Sequence, residues 1–252
     1  MRRFVPLALL LAQLSVCAGV PAATAADEVR IAVLAFQGSE KAAQDFEPTI
    51  AHLERSLPGH RFTMVPLDLA GITRAVEGGA VDFVVTNPGD YVDLEQRFGV
   101  TRIATLESRD HAAPTDTIGS AVVALDRPGR PQRLADLAGR RLAVVSTQAF
   151  GGWRVVWREM DDVGLAPKDL AELVESGFPM ETVLGELRRG RADAGVLRAC
   201  VLEEAITAGR VREGEFAVVG ERPTPGFPCR LSSRLYPDWP FARLAEIGRA
   251  HV

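Results

Sequence analysis

The apolar residues of this chain fall into short unbroken runs, each followed by a polar loop and then by a stretch with helical spacing. Residues 29–36 (VRIAVLAF) form such a run and predict a buried strand. A helix follows over about 45–57, with Pro48 in its first turn, where proline is tolerated. The same reading gives a strand at 61–66 and a short helix at 70–77 ended by Gly78 and Gly79. A strand at 81–86 leads to a helix opened by Asn87 and Pro88, and another strand follows at 100–107. This alternation predicts a mainly parallel sheet with helices on both faces.

A second set of units follows. Strands are expected at 119–125, 141–145, 171–175, 192–197 and 216–219, the last strand read in the chain. Between them lie helices at 134–137, 153–163, 181–189 and about 200–208, the second and third stopped by Gly164 and Gly190. The chain thus reads as α/β with two lobes, 27–118 plus 218–245 and 119–217, with no low-complexity tract.

Both ends read differently. Residues 1–26 carry Arg2 and Arg3, an apolar run from Phe4 to Val20, and a small-x-small site at Ala23, Thr24 and Ala25. That is the pattern of a secretory signal peptide, and it predicts a periplasmic chain. An uncleaved anchor is the alternative, but the run is short for a span. Residues 246–252 (EIGRAHV) back-translate to a common sequencing adapter, so a non-native tail is expected there.

Composition narrows the function. Hydrophobic residues make up 47% and charged residues 25%, which is ordinary for a folded globular chain. The net charge of −4 excludes an electrostatic footprint for nucleic acid. Histidines 52, 60, 111 and 251 show no metal-ligand spacing, and no cofactor is expected. There is no nucleophile elbow, no His-Glu-x-x-His and no Cys-x-x-Cys, so an enzyme is disfavoured. The carboxylate pairs Asp161, Asp162 and Glu203, Glu204 read as solvated helix faces.

Candidate chemistry lies in loops at the carboxyl ends of strands, where open α/β sheets bind ligands. The loop Ser146, Thr147, Gln148, Ala149, Phe150, Gly151, Gly152 offers hydroxyls, an amide and two glycines before a helix. Helix N-termini carry unpaired N–H groups and the positive end of the dipole, so this loop can cradle an anion. It can equally be a helix cap with glycines that permit packing. Asn87 and Tyr91 take the same part in the first lobe, or serve as a cap and a packed ring. Arg198 ends a strand and can fork onto an oxyanion or pair with a carboxylate. Cys200 and Cys229 are a structural disulfide, a redox or ligand-reactive pair, or two free thiols. As a disulfide they would contribute roughly 3–4 kcal/mol by loop closure.

The segments LAGI at 69–72, VDFVVTNP at 81–88, LADLAGRRLA at 134–143 and GRADAG at 190–195 resemble the periplasmic phosphonate- and phosphate-binding protein family. TNPGDY at 86–91, FGG at 150–152, VLRACVLE at 196–203, FPC at 227–229 and LYPDWP at 235–240 are similar to one branch of it, the sensor domains of tetrathionate-sensing histidine kinases. The resemblance covers about 28–240. It implies a type II periplasmic-binding-protein fold, with two lobes and the ligand cleft between them. It implies a small anionic ligand, a sulfur oxyanion such as tetrathionate, held by Asn87, Tyr91, Ser146, Thr147, Gly151, Gly152 and Arg198. The implied partner is a downstream transmembrane histidine kinase module; for a transport protein it would be an ABC permease. Two positions depart from the phosphonate pattern: Leu69 stands where a tyrosine is expected and Phe178 where a histidine is expected. Asp193 is retained, and orienting Arg198 is one role for it.

Overall fold

The computed structural model describes residues 27–108 and 114–245. The expected leader at 1–26, His111 and the expected non-native tail at 246–252 lie outside the described residues.

The first apolar run becomes β1 (Asp27–Leu34), in which Ile31 through Leu34 are buried. An unbroken buried run is what a strand covered on both faces requires. β1 pairs in parallel with β2 (His60–Leu67) and with β3 (Phe83–Val85). The helix α1 (Ser39–Ser56) lays Phe46, Ile50 and Leu53 against Ile31, Val33 and Phe62 on one face. On the other face α2 (Leu69–Glu77) and α3 (Pro88–Phe98) bring Ile72, Val76 and Leu94 against Ala32, Leu34 and Val84. α1 begins at Ser39, well before residue 45, so Pro48 lies inside the helix and not in its first turn. Ser39 to Gln44 is a run of adequate helix formers, and the proline falls on the solvent side, where water takes the freed carbonyl.

The sheet order is β2-β1-β3-β12-β4. β4 (Thr101–Thr105) closes the edge, and β12 (Pro240–Arg243) inserts antiparallel between β3 and β4. This late strand, together with β11 (Tyr236–Pro237), lies beyond the strand at 216–219 that the sequence reading placed last.

The second sheet has the order β10-β6-β9-β7-β8. Its strands are β6 (Ser120–Leu125), β7 (Arg141–Val144), β8 (Glu172–Glu175), β9 (Ala194–Arg198) and β10 (Phe216–Val219). β7 is parallel to β8 and β9, while β6 is antiparallel to β9 and β10. Trp153, Val156 and Met160 cover one face, contributed by a π turn (Phe150–Arg154) and α4 (Val155–Asp162). Val183, Leu184 and Leu187 of α5 (Thr182–Arg188) and Leu202 and Ala205 of α6 (Val201–Thr207) cover the other. Each of the valine, leucine and methionine side chains among them contributes about 1.5–3 kcal/mol by leaving water.

Two segments cross between the sheets side by side. β5 (Thr117–Ile118) pairs antiparallel with β11, Tyr236 opposite Ile118. The return crossing comes later than residue 218. Ser232 Oγ donates to the Val219 carbonyl (2.7 Å) and accepts from Val122 N–H (2.8 Å). The buried Glu159 carboxylate accepts from Arg234 N–H (2.9 Å), Arg234 Nε (3.0 Å) and Arg222 Nη1 (3.1 Å). Cys229 is bonded to Cys200 at the start of α6. Residues 220–235 are thereby fastened to the second sheet, and the chain rejoins the first at β12.

Candidate functional site

A cleft of about 950 Å³ lies between the two sheets, at the carboxyl ends of their strands. Leu34 to Gln37 enter it after β1, Asn87 after β3, Ser146 after β7, Phe178 after β8 and Arg198 at the end of β9. Among the described residues no group of three His, Cys, Asp or Glu side chains is placed to hold a metal.

Two helix starts face this space. Asn87 is the cap of α3: its Oδ1 accepts from Asp90 N–H at 2.9 Å, which leaves the amide NH2 as the group it can offer a ligand. Asp90 is buried behind it and takes a 2.6 Å hydrogen bond from Thr86 Oγ1. Burial pushes the Asp90 carboxyl above its ordinary pKa, and the hydrogen bond from Thr86 opposes that shift. The second start is the π turn from Phe150, where Phe150, Gly151 and Gly152 line the cleft. The first N–H groups of a helix have no partner within it, so the 150–152 start presents backbone donors to the cleft; at α3, where Pro88 has no N–H and Asp90 N–H is taken by the cap, the donor offered is the Asn87 amide.

Space requires glycine at 152 and is tight at 151. A Cβ on Gly152 would meet Val145 Cγ1 at 2.8 Å and Ala149 Cβ at 3.0 Å. On Gly151 it would lie 3.2 Å from Arg198 Cγ and 3.2 Å from Ile118 Cδ1, so the arginine stem packs directly over this backbone. Ser120 Oγ donates to the Gly151 carbonyl at 2.6 Å and fixes the turn from below.

Arg198 reaches Glu204 at 3.9 Å, and Lys41 pairs with Asp45 on α1. Both pairs line the cleft, and Glu204 is half-buried rather than on a solvated face. Asp162 likewise pairs with Arg158 and Arg234. Asp193 does not orient Arg198. It immediately precedes β9 at the far end, five residues away or about 16 Å along an extended strand. There its carboxylate accepts from Arg141 N (2.9 Å), Nε (3.2 Å) and Nη2 (2.8 Å), and that arginine holds its pKa below the usual carboxylate range.

Of the residues expected at a ligand, Asn87, Ser146, Gly151, Gly152 and Arg198 are brought together at the cleft. Tyr91 and Thr147 are not among its lining. Tyr91 is one turn into α3 on the side that packs toward β4; its hydroxyl donates to Glu95 Oε1 (2.5 Å) and accepts from Arg102 N–H (3.2 Å). Thr147 turns outward and donates to Glu175 Oε1 at 2.7 Å. Cys200 is 1% exposed and packs with Cys229 among Ala199, Leu231 and Phe227, so the bridge lies behind the cleft and not on it.

The cleft also holds Gln148 and Phe150 of the expected 146–152 loop, Trp239 of the 235–240 segment, and two residues that were not expected there, Phe36 and Lys41. Phe36 is the second residue after β1, and its position at a strand's carboxyl end was the available signal. Trp239 enters from the return segment, where the 235–240 resemblance marked the stretch without assigning the ring a place in the cleft.

Two α/β lobes, joined by paired crossings and enclosing a cleft at their strand ends, define a hinged binding protein. The family described as ABC transporter, phosphonate, periplasmic substrate-binding protein matches residues 31–250, and the chain belongs to it. The tetrathionate sensor histidine kinase TtrS of Salmonella typhimurium is 34% identical over 221 residues, covering 87% of this chain and 37% of the relative. The chain thus spans little more than a third of that protein's length. Among solved structures, PhnD1 of Prochlorococcus marinus in complex with methylphosphonate shares 14% identity at a TM-score of 0.66, over 88% of this chain and 78% of that one. A Xanthomonas citri protein bound to ATP shares 16% at a TM-score of 0.67, over 89% and 79%. The fold is the type II periplasmic-binding-protein fold expected from the sequence.

Proposed function

We propose that this chain is the extracytoplasmic sensor domain of a two-component histidine kinase and binds a small sulfur oxyanion such as tetrathionate. The observation that carries the reading is the convergence of Asn87, the 150–152 helix start and Arg198 on one cleft. The ligand's charged ends would sit on the Asn87 amide and on the 150–152 helix start, with Arg198 exchanging Glu204 for a sulfonate oxygen. Closure of the lobes on the ligand would be passed to a transmembrane and kinase module. The identity with TtrS over 87% of this chain supports the sensor role. Leu69 and Phe178 both line the cleft, and their apolar side chains suit diffuse charge better than a compact phosphonate.

A second reading is delivery of a phosphonate or phosphate to an ABC permease, which the family match favours. Thermal unfolding against tetrathionate, thiosulfate, sulfate, phosphate and methylphosphonate separates the two. A ligand at 100 times its Kd adds about 2.7 kcal/mol, or roughly 5–10 °C for a domain of this size. A shift with tetrathionate supports the sensor; a shift confined to phosphate or methylphosphonate supports transport. The gene beyond codon 245 gives an independent check, since a sensor requires a membrane span and a kinase module there.

A further inference from the structure

Phe36 and Phe178 come from opposite sheets and meet across the cleft, with ring centroids 5.3 Å apart. Phe36 also meets Trp239 edge-on at 5.4 Å. Trp239 packs into the core of the first sheet on both its faces and anchors the group. The two phenylalanines belong to neither sheet's core; they remain 43% and 38% exposed, with ring area still open. Leu69 and Met180 add apolar surface to the same cleft; Met180 is two residues from Phe178, and its Cε lies against the Gly152 backbone of the anion cradle. The apolar surface and the cradle therefore adjoin.

The charges in the cleft limit what can bind. Among the described residues its cations are Lys41 and Arg198, and each is already paired with a carboxylate. A compact dianion concentrates charge on a few oxygens and needs many donors once desolvated. An elongated ligand with charged ends and an acceptor-poor, polarisable middle needs fewer, and divalent sulfur makes favourable contacts with ring edges.

We propose that Phe36, Phe178 and Trp239 form an aromatic clasp between the lobes that selects elongated anions with a polarisable central segment over compact oxyanions. This rests on the anion-binding reading above and adds the residues that set its selectivity. Because the rings belong to different lobes, they meet in the closed form and add to its stability when a ligand covers their open faces.

The test is calorimetric titration of the purified chain with tetrathionate, butane-1,4-disulfonate, sulfate and phosphate. It compares wild type with Phe36→Ala, Phe178→Ala and Phe178→Leu, with far-UV circular dichroism and Tm confirming that each variant is folded. Each ring truncation should weaken tetrathionate about tenfold, the scale of a lost aromatic contact and its covered area. It should leave any sulfate or phosphate binding within twofold. Phe178→Leu, which keeps the bulk and loses the ring, should weaken tetrathionate more than butanedisulfonate. Tetrathionate affinity within twofold of wild type in the alanine variants would overturn the clasp, as would an equal loss for every anion. Failure of the wild type to bind any of the four would instead remove the anion-binding reading beneath it, and the clasp with it.

Discussion

Removing the bridge between Cys200 and Cys229 offers a magnitude that the fold itself sets. The bond closes a loop with a sequence separation of 29. In the chain-entropy treatment such a loop restricts the unfolded chain by about 12 cal/mol/K, or roughly 3.6 kcal/mol at 25 °C. Cys200→Ala with Cys229→Ala is the suitable perturbation, because both sulfurs sit in an apolar cluster and serine would bury a hydroxyl there. At about 2–4 °C per kcal/mol for a domain of this length, Tm should fall by roughly 7–14 °C. Scanning calorimetry in non-reducing buffer measures it, and excess dithiothreitol should bring the wild type to nearly the same value. A variant Tm within 2 °C of wild type would refute the reasoning. It would mean that Glu159 and Ser232 hold residues 220–235 so firmly that the covalent link adds nothing.

Gly151→Ala sets a Cβ 3.2 Å from the Arg198 stem, so anion affinity should fall about five- to tenfold by titration while the domain loses about 1–3 kcal/mol of stability. Glu186 is held at a pKa of about 2 by hydrogen bonds from Arg191 and Arg189. Because its folded pKa lies below the unfolded value, its contribution is present above about pH 4.5 and lost as pH falls toward 2. Glu186→Gln should therefore flatten the Tm profile in that window. Asp90 has the opposite sign: burial raises its folded pKa, so its contribution is present at low pH and lost as pH rises through that value. Asp90→Asn should raise Tm at pH 7 and give no gain near pH 3, as thermal melts at the two pH values would show.

The strands buried on both faces were legible because a covered strand must be apolar throughout, as in β1, β6 and β9. Helix starts with a chemical cap were legible too, since Asn87 and Pro88 carry their own signal. The start of α1 was not, because Pro48 imitates a first-turn proline while its freed carbonyl is met by solvent. β12 was not legible, because Pro240 to Arg243 becomes a strand only by filling the gap between β3 and β4, a contact some 150 residues distant in sequence. At the site, the glycines and Arg198 stood out through their place after strands. Tyr91 stood out for the same reason, but helical rotation carries its ring toward β4. Phe36 gains its meaning from meeting Phe178 of the other lobe, and Trp239 from packing beside Phe36 some 200 residues away in sequence, contacts that no local window contains.

The central claim is that Arg198, the Asn87 amide and the 150–152 helix start hold a sulfur oxyanion in the cleft. Titration of tetrathionate into wild type and Arg198→Ala, each run beside methylphosphonate, tests it most directly. The account predicts saturable tetrathionate binding by wild type, at least tenfold weaker in Arg198→Ala, with methylphosphonate bound poorly by both. Binding of methylphosphonate alone, or tetrathionate binding indifferent to the loss of Arg198, would contradict it.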